Sequence, residues 1–199
     1  MAQSQLKVAS RSGRGKNDAR ALRREGLVPG VVYGKGMEAC NVAVDPKALQ
    51  QAIATKAGWN TLITLQGEGS FDGKVVILKD MQVHALRRQM THVDFQAVDL
   101  KQKVHVMVPV RAIGKSMGEK LGGQLQIIRH ELEVVCLPDS IPISIDIDVT
   151  ELGVGDVVHI NDVKLAPGIE VPHDVNFTVI TVTGHKAEEA ETAVEGAQA

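Results

Sequence analysis

Thr91–Val98 reads THVDFQAV, and its alternation decides how the chain is built. Side chains of a strand point to opposite faces with a period of two. Val93, Phe95 and Ala97 therefore share one face, and His92, Asp94 and Gln96 share the other. One face is core and the other polar, so the strand needs neighbours. Upstream, Gln5–Ser10 and Val31–Tyr33 read as strands. Thr61–Gln66 and Lys74–Val83 flank the turn sequence GEGSFDG, as a hairpin does. Two short helices interrupt them. The first has Asn17 as its expected N-cap and Gly26 as its stop. The second is expected over Pro46–Lys56, with Asp45 as N-cap, Pro46 at the first position and Gly58 ending it. Between the two, Pro29-Gly30 is expected to break the chain before Val31.

Beyond about Asp99 the strand signal dominates. Val104, Val106, Val108 and Val110 alternate with other residues, as do Ile143, Ile145, Ile147 and Val149. Asn176–Thr183 is rich in β-branched residues. Gly122-Gly123, Pro138-Asp139, Gly153–Gly155 and Pro167-Gly168 supply turns. The fold class is thus mainly β. The expected division is an N-terminal domain over 1–98, an all-β domain over 99–185 and a mobile acidic tail over 186–199.

The composition excludes several classes of function. Aromatic residues are only 3%, so the cores must be aliphatic. Apolar runs are too short to span a bilayer, and MAQSQLKVAS lacks a secretory apolar core, which reads as cytosolic. Cys40 and Cys136 give no disulfide framework and read as two reduced, buried thiols. No H-E-x-x-H or Cys/His cluster suggests a metal, and Asp146-Ile147-Asp148 reads as a solvated strand face. Gly114-Lys115-Ser116-Met117-Gly118 matches the hydrolase pattern G-x-S-x-G. That chemistry needs a helix directly after the serine. The following EKLGG is expected to forbid one, leaving a surface loop. Gly13–Lys16 resembles a P-loop, but Asn17 stands where Ser or Thr is required. No cofactor, small-molecule substrate or enzymatic activity is expected.

Charge points elsewhere. The net charge of -2 conceals a basic half and an acidic half. Residues 1–100 carry 14 Lys+Arg against 9 Asp+Glu, whereas residues 101–199 carry 8 against 15. Such a split suggests a polyanion partner for the first half alone. Lys16, Arg20, Arg23 and Arg24 fall on one helix face by three-and-four spacing, while Ala19 and Leu22 point toward a core. A charged helix face is often only solvated, and His92 with Asp94 could be a simple surface hydrogen bond. The combination says more. Cations neutralise phosphates, but a carboxylate repels them and accepts from base amino groups or a 2′-hydroxyl. Together they suggest RNA.

The ordered set G-K-x₃-R-x-L-R-R-E-G-L-x-P-G-V-x-Y-G from Gly15 to Gly34, with H-V-D-F at His92–Phe95 downstream, resembles a known family. It is similar to the bacterial large-subunit ribosomal proteins that bind 5S rRNA, in the long two-domain form related to general stress protein CTC. The resemblance implies an N-terminal β-barrel with short helices, similar to the anticodon-binding barrels of glutaminyl-tRNA synthetase, plus a C-terminal all-β domain. It implies RNA contacts at Arg11, Arg23, Tyr33, His92 and Asp94, with Lys16 and Arg20 as additional phosphate contacts. Pro29 and Gly30 would set the turn that brings Tyr33 beside the helix. The implied partners are 5S rRNA and the large ribosomal subunit, with its neighbouring rRNA and ribosomal proteins; by its charge, the acidic half is expected to stay off RNA phosphates and to meet neighbouring ribosomal proteins or project outward. A translation-linked factor binding tRNA with the same barrel, and a serine hydrolase acting through Ser116, are the competing readings.

Overall fold

A computed structural model describes residues 3–13, 15–163, 165, 168–172 and 175–184. The expected tail, most of it Ala and Glu, lies outside the described residues, as does Pro167 of one expected turn. Two compact units alternate along the chain. The first takes Met1–Pro109, Leu132–Ser144 and Leu165–Pro172; the second takes Val110–Glu131, Ile145–Lys164 and His173–Ala199.

The first unit holds a closed six-stranded barrel. Its elements are β1 (Gln3–Ser10), α1 (Lys16–Arg24), β2 (Val28–Gly34), β3 (Met37–Val44), α2 (Pro46–Ile53), β4 (Leu62–Gln66), β5 (Val75–Val83) and β6 (Met90–Ala97). Around the barrel they run β1-β3-β2-β6-β5-β4, and a parallel ladder from Gln3↔Leu62 to Lys7↔Gln66 closes the ring. The interior is aliphatic, as the scarcity of aromatics requires. Leu6, Val32, Val42, Val44, Leu49, Ile63, Leu65, Val76 and Val93 are sealed, with Phe71 and Phe95 as the largest side chains among them. Truncating a phenylalanine so placed costs about 3–5 kcal/mol.

Three expectations change here. Pro29 and Gly30 do not break the chain; they lie inside β2 and are buried. Gly30 pairs with Val93, and a Cβ on Gly30 would stand 2.8 Å from the Val93 carbonyl oxygen, so the glycine permits close strand approach. Pro29 lies one residue before that ladder begins, where its missing N–H is tolerated. Asn17 is not the cap of α1, because helical geometry already starts at Lys16 and Gly15 occupies the cap position. The second helix stops at Ile53, and Gly58–Asn60 form a separate 3-10 turn. Its start is as expected, since Asp45 accepts from the Lys47 N–H at 3.0 Å. The strand β3 was not anticipated.

The remaining elements are β7 (Val104–Ile113), α3 (Met117–Lys120), β8 (Gln124–Ile127), β9 (Glu131–Cys136), β10 (Ile145–Asp148), β11 (Val157–His159) and β12 (Thr178–Thr183). They form two three-stranded sheets, β10-β7-β9 and β11-β12-β8. Burial alternates through β7 and β10 as the sequence pattern requires, with Asp146 and Asp148 on the exposed face. Ile143 precedes the strand and is exposed. Helical structure here is one four-residue turn, α3, and two 3-10 turns, among the described residues.

Candidate nucleic-acid interface

The outer face of the barrel is built by register. Within β6, Val93 and Phe95 are buried, while His92, Asp94 and Gln96 stand half-buried on the other side. The parallel partner β2 sets Val31 beside Asp94 and Tyr33 beside Gln96. The antiparallel partner β5 sets Asp80 beside Asp94 and Gln82 beside His92. Across β2, Asn41 of β3 pairs with Val31, and the Arg11 N–H donates to the Asn41 carbonyl at 3.0 Å. Arg11, Asn41, Val31 and Asp94 therefore form one row across neighbouring strands. Three strand spacings put the row's ends roughly 14 Å apart.

The row has a chemical gradient. At one end His92 Nδ1 lies 2.7 Å from Asp94 Oδ1. This bond orients the carboxylate and leaves its second oxygen as an acceptor. Burial first, then the charges of Asp94 and Asp80, push the Tyr33 phenol above its ordinary range. Both act by disfavouring the phenolate. Tyr33 is thus a neutral hydroxyl that donates. At the other end Arg11 is half-buried; its Nη1 donates weakly to the Gly13 carbonyl at 3.4 Å, and its Nε is sealed from solvent without a hydrogen-bond partner. Arg11 lines a cavity with Ser12, Glu38, Cys40, Ser70 and Lys74. Cys40 is half-buried there, with Sγ 3.0 Å from Ser70 Oγ, unlike the fully buried Cys136. The expectation of two buried thiols therefore holds only for Cys136; β3's outer half faces this cavity and leaves Cys40 partly open.

The helix α1 flanks the face. Lys16, Arg20, Arg23 and Arg24 are exposed, and Ala19 and Leu22 are half-buried against the barrel. Gly26, at φ +85°, ends the helix: its N–H reaches the Arg23 carbonyl at 3.3 Å and the Leu27 N–H reaches Leu22 at 3.0 Å. This paired termination turns the chain into β2. Arg23 adds a lateral tie. Its Nε and Nη2 both donate to the Thr91 carbonyl, at 3.0 and 2.7 Å. The basic helix is thus fixed at Thr91, 68 residues from Arg23 in sequence and next to His92. A guanidinium has five N–H donors, so the tie leaves others for a ligand.

The structure sets Arg23 beside His92 through Thr91 and carries Lys16 and Arg20 on the same helix, while Tyr33 stands farther along the face, level with Gln96 and near Asp94. Arg11 joins them only through the strand row. Asp80 and Gln82 were not singled out from sequence, because the bulge between Leu78 and Asp80 breaks the alternation of β5. Asn41 was missed with its strand.

Ser116 has a different part. It is buried and caps α3: its hydroxyl accepts from the Glu119 N–H at 3.1 Å and donates to Glu119 Oε2 at 3.2 Å. The same carboxylate accepts from the Ser116 N–H at 3.0 Å. A helix does start after this serine, contrary to expectation, because the reciprocal cap compensates for the glycines that follow. The hydroxyl is spent inside the motif, so no nucleophile is presented. Among the described residues, no three of His, Cys, Asp and Glu could hold a metal, and no helix is long and apolar enough to cross a membrane.

Residues 6–95 match the Ribosomal L25p family, and residues 103–186 match the C-terminal domain of ribosomal protein TL5. The chain is 61% identical over 191 residues to the large ribosomal subunit protein bL25 of Syntrophotalea carbinolica, covering 96% of this chain and 92% of that protein. It is 42% identical to the bL25 of Geobacter sulfurreducens over 97% of this chain and 100% of that one. For the bL25 of Pelobacter propionicus the identity is 43%, with both chains covered in full.

Proposed function

Because the chain belongs to the ribosomal L25p family of large-subunit proteins, in the form that carries a TL5-type C-terminal domain, we propose that it holds 5S rRNA on the outer face of its barrel. Its role is scaffolding on the ribosome, in the cytoplasm, with no chemical step and no cofactor. What carries the reading is the row from Arg11 to Asp94, with Arg23 tied to Thr91 beside it. Cations lie at one end and along the helix, where they neutralise phosphates. Asp94, oriented by His92, and the Tyr33 hydroxyl accept from and donate to base edges or ribose hydroxyls. Lys16 and Arg20 add phosphate contacts along the exposed helix flank.

We assign binding to residues 1–98, which include every strand of the closed barrel. The acidic residues 99–185 would repel phosphates and are left to meet neighbouring ribosomal proteins. The test is a titration of the full chain and of residues 1–98 against 5S rRNA, with tRNA as competitor, at several salt concentrations. Binding by both that tRNA does not displace is expected. Weak binding that tRNA competes away would instead favour a translation-linked factor reading structured RNA in general.

A further inference from the structure

The turn between β5 and β6, His84–Gln89, takes no part in the barrel core, yet it is tightly organised. The His84 N–H donates to the Gln89 carbonyl at 2.8 Å, and the His84 carbonyl accepts from the Arg88 N–H at 2.8 Å. The His84 ring accepts from the Arg87 N–H through Nδ1 at 3.3 Å. At the tip, Leu86 is 91% exposed, and Arg87 and Arg88 are exposed beside it. Arg88 is the single non-glycine residue with positive φ among those described, at +53°.

That conformation is where glycine or asparagine is the inexpensive choice. A long cationic side chain held there against backbone preference points to a use for the side chain. The turn's position says which use. Val83 pairs with Met90, so the turn lies just beyond Thr91, the residue that Arg23 grips. Arg87 and Arg88 thus extend the cationic border of α1 past the end of the polar face formed by His92 and Asp94. No carboxylate lies between Val83 and Met90 in sequence to neutralise them.

We propose that the His84–Gln89 turn is a second RNA-docking element, its two arginines holding phosphates of the strand that runs off the end of the sheet face. This rests on the reading of that face as an RNA site. Arg forks match phosphate geometry and add to the salt-dependent part of binding.

The test compares the full wild-type chain with Arg88→Gly and with Arg87→Ala/Arg88→Gly, each titrated with 5S rRNA across a salt series and melted without RNA. Arg88→Gly removes the charge while relaxing the backbone, so its melting temperature should stay level or rise. Its salt slope should fall by one contact, about 0.7–0.9 log units per log unit of salt, and that of the double variant by about 1.4–1.8. A double variant with wild-type slope and affinity overturns the proposal. So does weaker binding at unchanged slope with a lowered melting temperature, which would make the turn a structural clasp. A wild type that does not prefer 5S rRNA over tRNA defeats the sheet-face reading and the turn with it. A discriminating wild type beside an unaltered double variant defeats the turn alone.

Discussion

Arg23 has two separable parts, and replacing it measures both. Arg23→Ala deletes two hydrogen bonds to the Thr91 carbonyl, at 3.0 and 2.7 Å. They share one acceptor at an exposed site, so their joint loss should cost on the order of 1 kcal/mol. For a chain of this size that lowers Tm by about 2–4 °C. Loss of a phosphate contact is a different signal. It reduces the salt slope of binding by roughly 0.7–0.9. Between about 50 and about 200 mM salt, the wild-type advantage should then shrink about threefold. Arg23→Lys separates the two, keeping the charge while losing the two-pronged grip on Thr91. It should show most of the Tm loss and a near wild-type slope. The assay is a fluorescence titration with 5S rRNA at four salt concentrations, alongside thermal melts. If Arg23→Ala lowers Tm but leaves the slope at its wild-type value, Arg23 is a strut between α1 and β6 and touches no phosphate.

Other outcomes follow from the same geometry. Asp94→Asn removes the charge facing His92 and converts an acceptor-only group into one that also donates; preference for 5S rRNA over tRNA should fall roughly tenfold or more, with little change in slope. An Asp94→Asn protein that discriminates as well as wild type would remove Asp94 from the readout. Tyr33 is the single tyrosine, and its raised pKa means the folded state favours the neutral phenol. Its contribution to stability is full below the unfolded value near pH 10 and is lost as pH rises through the higher folded value. Absorbance titration should show phenolate appearing later in folded than in denatured protein, and Tyr33→Phe should soften the loss of stability above about pH 10. Ser116→Ala breaks the cap of α3 and should cost about 1–2 kcal/mol in a melt while leaving RNA affinity unchanged. A loss of RNA binding in that variant would contradict the assignment of binding to the barrel.

The sequence made some of this legible for definite reasons. Thr91–Val98 has one buried and one wet face, so its alternation survives in the amino-acid order. The arginines of α1 are exposed and nearly unopposed, so their spacing carries over unchanged. Register is where local reading ends. Nothing near Arg11 announces that its backbone meets Asn41, or that Asn41 leads through Val31 to Asp94. Pro29-Gly30 has the local signature of a turn, and pairing on both sides, with Ala43 and Val42 of β3 and with Val93 from 63 positions away, keeps it extended. The strand β3 ends in three consecutive buried residues, Val42, Ala43 and Val44, so no period of two marks it. At Ser116 the glycines argue against a helix, and one reciprocal pair with Glu119 outweighs them.

The face proposed for RNA joins β2 to β6, whose paired residues, from Gly30 with Val93 to Gly34 with Ala97, are 63 positions apart in sequence, with β6 the last barrel strand. During synthesis the basic helix emerges first and the strand bearing His92 and Asp94 last. If the face binds RNA as proposed, an incomplete chain would carry the charge without the selective groups, and its attachment to RNA would be of the kind that salt removes. The selective groups would join the face when β6 pairs between β2 and β5. On the proposed reading, the full site therefore exists only in a chain that has completed its last barrel strand.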